Sequence, residues 1–131
     1  MKPEEFLRTI YLGDRACKAI VMNGWKRELR IQIDCISRIR SAQWDYYTAE
    51  DLPDGCLVFE GVESVVFEPS GKMPNDWITL VSVESVDEGP LHRFVFSAGA
   101  IDKHGKAVDV SIVIIAAAVA LDDNNDVRIR V

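Results

Sequence analysis

Cysteine is scarce in this chain: Cys17, Cys35 and Cys56 are the only three among 131 residues, widely spaced and with no C-x-x-C pair. An odd, scattered set excludes a disulfide framework and a cysteine zinc site. Each cysteine lies among apolar neighbours and reads as a buried, reduced thiol, which suits a reducing, cytoplasmic compartment. Histidine is scarcer still. His92 falls in a strand pattern with Phe94 and Phe96, and His104 in a glycine-containing turn, so no Cys-His or Ser-His-Asp relay is legible. The glycines at 61, 71, 89 and 105 are single turn residues and form no phosphate-cradling loop. The longest strongly apolar run, residues 112–121, is about half a membrane-spanning helix. The opening Met1-Lys2-Pro3-Glu4-Glu5 lacks the basic, then apolar, build of a secretory signal. Positive charge is in deficit, with a net charge of −6. Nucleic-acid binding is therefore not expected, since phosphate affinity comes from clustered cations, whereas a basic partner remains open.

What the chain has is alternation. Across residues 26–40 the even positions carry Lys26, Glu28, Arg30, Gln32, Asp34, Arg38 and Arg40, and the odd positions Leu29, Ile31, Ile33, Cys35 and Ile39. A strand sends successive side chains to opposite faces, so this predicts one long strand with a core face and a basic wet face. The same rhythm recurs at 16–22, 56–59, 63–68, 77–86, 91–98, 107–121 and 127–131, with turn signals between. Asn23-Gly24 predicts a tight hairpin, and Glu60-Gly61 joins what reads as a second. The first dozen residues predict a short helix with Pro3 at its first turn, Glu4 and Glu5 at the positive end of its dipole and Gly13 as its stop. The expected fold is a single mostly β domain over residues 1–131. It is an antiparallel β-sandwich or partly open barrel of about eight strands with a short N-terminal helix. Its expected core includes Phe6, Leu29, Ile31, Ile33, Leu57, Phe59, Phe67, Leu80, Val95, Ile112 and Ile114.

Chemistry is harder to find. Asp122, Asn124 and Asp126 match the opening of a calcium loop, but Val127 stands where that loop needs glycine and no bidentate Glu follows, so the segment reads as a turn held by Asx hydrogen bonds. No carboxylate pair lies in an apolar setting that would tune one of them for acid/base work. No metal, cofactor or catalytic residue is expected. The candidate surface is the segment 41–55, the longest stretch without strand rhythm. There Trp44, Tyr46 and Tyr47 lie among Asp45, Glu50, Asp51 and Asp54. Aromatic anchors with acidic neighbours fit a partner-binding face, and the partner expected is another protein.

Phe6-Leu7-Arg8-Thr9-Ile10-Tyr11-Leu12-Gly13-Asp14-Arg15 resembles the opening of a family of small bacterial proteins of unknown function. Residues 32–40, Trp44, Tyr46-Tyr47, Phe59-Glu60-Gly61-Val62 and Pro74-Asn75-Asp76 are similar to the same family. The Phe-Glu-Gly-Val step is also similar to small β-sandwich immunity proteins of bacterial toxin systems. These resemblances imply a bacterial, cytoplasmic binding protein and carry over no catalytic residue. Two functions follow as expectations. One is a non-catalytic protein-binding module, immunity-like, using the acidic–aromatic surface. The other is a small-ligand-binding or enzymatic β-domain whose site lies in the barrel or between sheets.

Overall fold

The computed structural model describes residues 1–43 and 50–131. Its elements in chain order are α1 (Pro3–Leu7), β1 (Ile10–Tyr11), β2 (Cys17–Asn23), β3 (Glu28–Ile33), β4 (Cys35–Arg38), β5 (Glu50–Pro53), β6 (Cys56–Glu60), β7 (Ser64–Glu68), β8 (Ile78–Ser85), β9 (His92–Ile101), β10 (Ala107–Ala116), β11 (Ala118–Asp122) and β12 (Arg128–Ile129). The strands form three antiparallel sheets: β12-β11-β6-β3-β2, β7-β10-β9-β8 and β1-β4-β5. The expected mostly β, sandwich-like architecture stands, with no closed barrel.

The five- and four-stranded sheets enclose the core. Leu29, Ile31 and Ile33 of β3, Leu57 and Phe59 of β6, and Leu121 of β11 face Phe94 and Phe96 of β9 and Val110, Ile112 and Ile114 of β10, all fully buried. Phe59 bridges the layers, meeting the rings of Phe94 and Phe96 edge-on at 5.0 and 5.8 Å between centroids. Helix α1 adds Phe6 and Leu7 and packs on β11 and β8. A helix of five residues, little more than one turn, is not held by its own hydrogen bonds; this docking holds it.

Several expectations are corrected. The 26–40 run is two strands in different sheets, broken at Asp34. Its backbone N–H donates to the Ala16 carbonyl (3.0 Å), and its Oδ1 accepts from the backbone N–H of Ala16 and of Cys35 (both 2.9 Å). The bend flips the register, so Ile36, Ser37 and Arg38 are buried, and Arg38, expected on the wet face, is only 2% exposed. The helix ends at Leu7 rather than near Gly13, because β-branched Ile10 and Tyr11 instead pair with Arg38 and Ser37. The Asn23-Gly24 turn is a four-residue connection whose positive φ falls on Arg27. Val95 faces away from the core because its neighbours Phe94 and Phe96 take that side; Phe67 and Leu80 are partly buried against it.

The second expected hairpin is a corner. β6 pairs with β11 in one sheet while β7 pairs with β10 in the other. Both chains cross between sheets side by side at Gly61 and Ala117, where Ala117 N–H donates to the Glu60 carbonyl (3.0 Å) and Glu63 N–H to that of Ile115 (2.8 Å). Strands that bend from one sheet into the next are how a sandwich makes such corners. Strands β1, β4, β5 and β11 bring the count to twelve among the described residues, against about eight expected. The β-branched rhythm leading into the alanine run at 116–121 does continue as strand, interrupted at Ala117.

Candidate functional site

Trp44, Asp45, Tyr46 and Tyr47 lie outside the described residues. The acidic half of the proposed surface has partners within the chain. Glu50 pairs with Arg40 (3.1 Å), and Asp54 with Lys18 (2.6 Å). Asp51 accepts from the buried Ser37 hydroxyl (2.6 Å), which in turn accepts from Arg15 Nη2 (2.7 Å). Beneath them the Arg38 guanidinium lies 5.4 Å from the Phe6 ring centre and donates once, from Nη2 to Thr9 Oγ1 (3.0 Å). Its Nε and Nη1 are buried without a hydrogen-bond partner among the described residues. Burial, then the nearby Arg40, lower its proton affinity.

The outer face of the five-stranded sheet is an ion-pair network. Asp122, 1% exposed, accepts from Arg30 Nη1 (2.5 Å) and from Arg128 Nε and Nη2 (2.5 and 3.1 Å). Glu60 takes Arg128 (3.1 Å) and Arg130. Burial alone would raise the Asp122 pKa; the hydrogen bonds and charges of Arg128 and Arg30 outweigh it and hold the carboxyl below its ordinary value. The Asp122–Asp126 turn is the expected Asx turn, with Asp123 Oδ1 accepting from Asn125 and Val127 N–H (2.8 and 2.9 Å). No group of three His, Cys, Asp or Glu among the described residues could hold a metal. Cys17, Cys35 and Cys56 are free, with Cys35 only partly buried. Burial raises all three thiols, Cys17 to about 11, so they are poor nucleophiles. His92 lies 3.6 Å from Glu4 and beside Phe94, a packing position.

The open side of the sandwich is different. β2 ends the five-stranded sheet and β7 ends the four-stranded one, so, beyond Cys17, whose N–H donates to the Asp76 carbonyl, each presents an edge with no strand partner among the described residues. A groove of about 680 Å³ lies between them, lined by Lys18, Ala19, Ile20 and Met22 of β2, by Val65, Val66 and Phe67, and by the loop from Ser70 to Asn75. In the ladders Ile20 stands opposite Ile31 and Met22 opposite Leu29, while Val65 stands opposite Ile114 and Phe67 opposite Ile112. Directly opposed residues share a face, so all four belong to the core side. Their partners are fully buried, yet Met22 is 63% exposed. The core layer therefore runs out to solvent here. A second depression, sharing Met22 and Val65, continues the groove to Asn23, Gly24 and Arg27. In that hairpin loop Trp25 is 97% exposed. Val21, Val66 and Met73 add further exposed apolar surface.

A family model matches the chain over residues 1–131. The chain belongs to DUF6258, a family of unknown function. No curated protein and no solved structure matches it. Family membership agrees with the resemblance to an uncharacterised family and assigns no site residue. No helix among the described residues is long and apolar enough to cross a membrane.

The groove was missed in the sequence, although a signal is there. Ile20-Val21-Met22 and Val65-Val66-Phe67 are runs of three apolar residues in strands. Alternation forbids three successive side chains from facing one core, so some must point elsewhere. Trp25, a tryptophan in a glycine-containing turn, is the other signal.

Proposed function

We propose that this protein is a non-catalytic binding module that holds an extended segment of another protein along its open β2–β7 side. The observation that carries the reading is Met22, core-facing by register and yet 63% exposed between two unpaired strand edges. Unpaired N–H and C=O groups bordering an apolar floor are what β-strand addition uses: the backbone supplies hydrogen bonds and the floor takes alternate side chains. A continuous exposed apolar strip of this kind marks an interaction surface. The small-ligand or enzymatic alternative fits less well, because among the described residues no carboxylate, histidine or cysteine lines the main part of the groove.

The finer reading is an immunity-like protein that masks a toxin in a bacterial cytoplasm. It is supported by the resemblance of Phe59-Glu60-Gly61-Val62 and by the composition of residues 44–54, which would add an acidic, aromatic contact for a basic partner. The test is a photo-crosslinking amino acid placed at Met22, at Trp44 and, as a control, at exposed Lys103, in the cell of origin. Expected at Met22 is a discrete adduct to a peptide of one other protein, absent at Lys103. Labelling that is equal at all positions, or no protein adduct at Met22, overturns the reading. An adduct at Trp44 as well would bring the acidic–aromatic segment into the interface.

A further inference from the structure

We infer that the segment taken by the groove is a β-strand with apolar side chains at alternate positions, running antiparallel to β2 and carrying a carboxylate at its C-terminal end beside Lys72; this rests on the protein-binding reading above. The floor dictates the period. Ile20 and Met22 are two residues apart on β2, and Val65 and Phe67 two apart on β7, so apolar contact is offered at every second position of an occupant lying between them. From Lys18 to Met22 the strand spans about 13 Å at ~3.3 Å per residue, room for some five residues of partner.

Direction and charge follow from the two ends. At one end the groove meets the Ser70–Asn75 loop and Lys18, where Cys17 N–H donates to the Asp76 carbonyl (2.8 Å); at the other it meets Asn23, Gly24 and Ser64. β2, at seven residues, is the longer edge, and antiparallel ladders are the more stable, so an added strand pairs antiparallel to β2. That brings its C-terminal end to Lys18 and Lys72. Lys18 is already held by Asp54 at 2.6 Å, and Arg27 at the far end by Glu63. Lys72 has no ion-pair partner among the described residues, and no carboxylate lines this part of the groove, in a chain whose net charge is −6. Of the charged residues lining the groove and its continuation, Lys72 is the one without an ion pair among the described residues; it lies at one end, which selects an anionic terminus. A second copy of the chain is the poorer occupant. Across a two-fold axis a concave groove meets another groove, with no projecting segment to fill either, so the surface is not self-complementary.

The test is an NMR titration of the isotope-labelled full chain with three capped hexapeptides. They are Val-Thr-Val-Thr-Val-Glu, the same composition with its valines contiguous, and the alternating peptide ending in Lys. Expected are shifts confined to the backbone amides of residues 17–23 and 62–75, with the alternating Glu peptide binding at least tenfold more tightly than the contiguous one and at least threefold more tightly than the Lys one. Lys72→Glu, in an exposed loop, should reverse the Glu/Lys order and leave the alternation preference intact. Equal binding of the contiguous peptide, an unreversed order in Lys72→Glu, shifts elsewhere, or no binding of any peptide up to millimolar concentration overturns the inference. If the peptides fail while Met22 still crosslinks to one protein, this chemistry is wrong and the protein-binding reading survives. If the Met22 crosslink fails, both fall. Concentration-dependent slowing of tumbling without peptide would instead make the occupant a second copy.

Discussion

Burial disfavours the Asp122 carboxylate, and two arginines reverse the outcome. Because its pKa lies below the unfolded value, the network contributes stability that is fully present above the ordinary carboxyl range, near 4, and is lost as pH falls through the depressed folded value. Glu60 adds in the same direction, its carboxyl lowered first by the hydrogen bond from Arg130. Asp122→Asn should cost about 1.5–3 kcal/mol at neutral pH, the range for hydrogen bonds to charged groups. It should also flatten the loss of stability in acid, which urea unfolding at pH 7 and below pH 4 would show. The buried pair could not have been read from the chain, since Arg30 and Asp122 are 92 positions apart. The thiols could. A chromogenic disulfide reagent at pH 8 should label partly buried Cys35 first in the native protein, leave Cys17 unreactive, and count three thiols after unfolding.

At the scale of elements, alternation predicted most of the strands and named seven core positions that are buried as expected: Leu29, Ile31, Ile33, Leu57, Phe59, Ile112 and Ile114; Phe6, on the expected N-terminal helix, is buried too. What it could not predict is where a strand changes sheets. Asp34 continues the polar rhythm while its side chain and backbone turn the chain through hydrogen bonds to a residue 18 positions earlier. Gly61 looks like a hairpin turn while the real partner of its corner is Ala117. A Cβ on Gly61 would lie 2.9 Å from the Ala117 Cβ at a backbone φ of +61°, whereas one on Gly71, at +85°, would meet open space. Both substitutions to Ala carry the left-handed backbone cost, of order 1 kcal/mol, and only Gly61→Ala adds a clash at the sheet corner. Gly61→Ala should therefore destabilise clearly more than Gly71→Ala in parallel denaturant melts. Equal losses would mean the corner relaxes freely. The groove was half legible in the same way: three apolar residues in a row showed that one face had to be exposed, but which edges lay side by side is a property of topology alone.

For the whole molecule, the open side is a hydrophobic surface that a stably folded domain tolerates only if something uses it or charge protects it. A net charge of −6 keeps copies apart, and Lys18 guards the edge of β2. An anionic naphthalene-sulfonate dye should therefore bind the native protein at the groove, where an apolar floor adjoins Lys72, and should fluoresce without any loss of structure. Met22→Glu places a carboxylate on that floor. Met22 is mostly exposed, so stability should change by only about half a kcal/mol, as surface substitutions usually do. Dye fluorescence should fall severalfold in Met22→Glu, while Val127→Glu, at an exposed apolar site on the opposite edge of the five-stranded sheet, should leave it unchanged. If both variants dim the dye alike, binding reflects scattered surface apolarity rather than the groove. If Met22→Glu unfolds the chain, Met22 is part of the core, and the open edge is not a surface available to a partner.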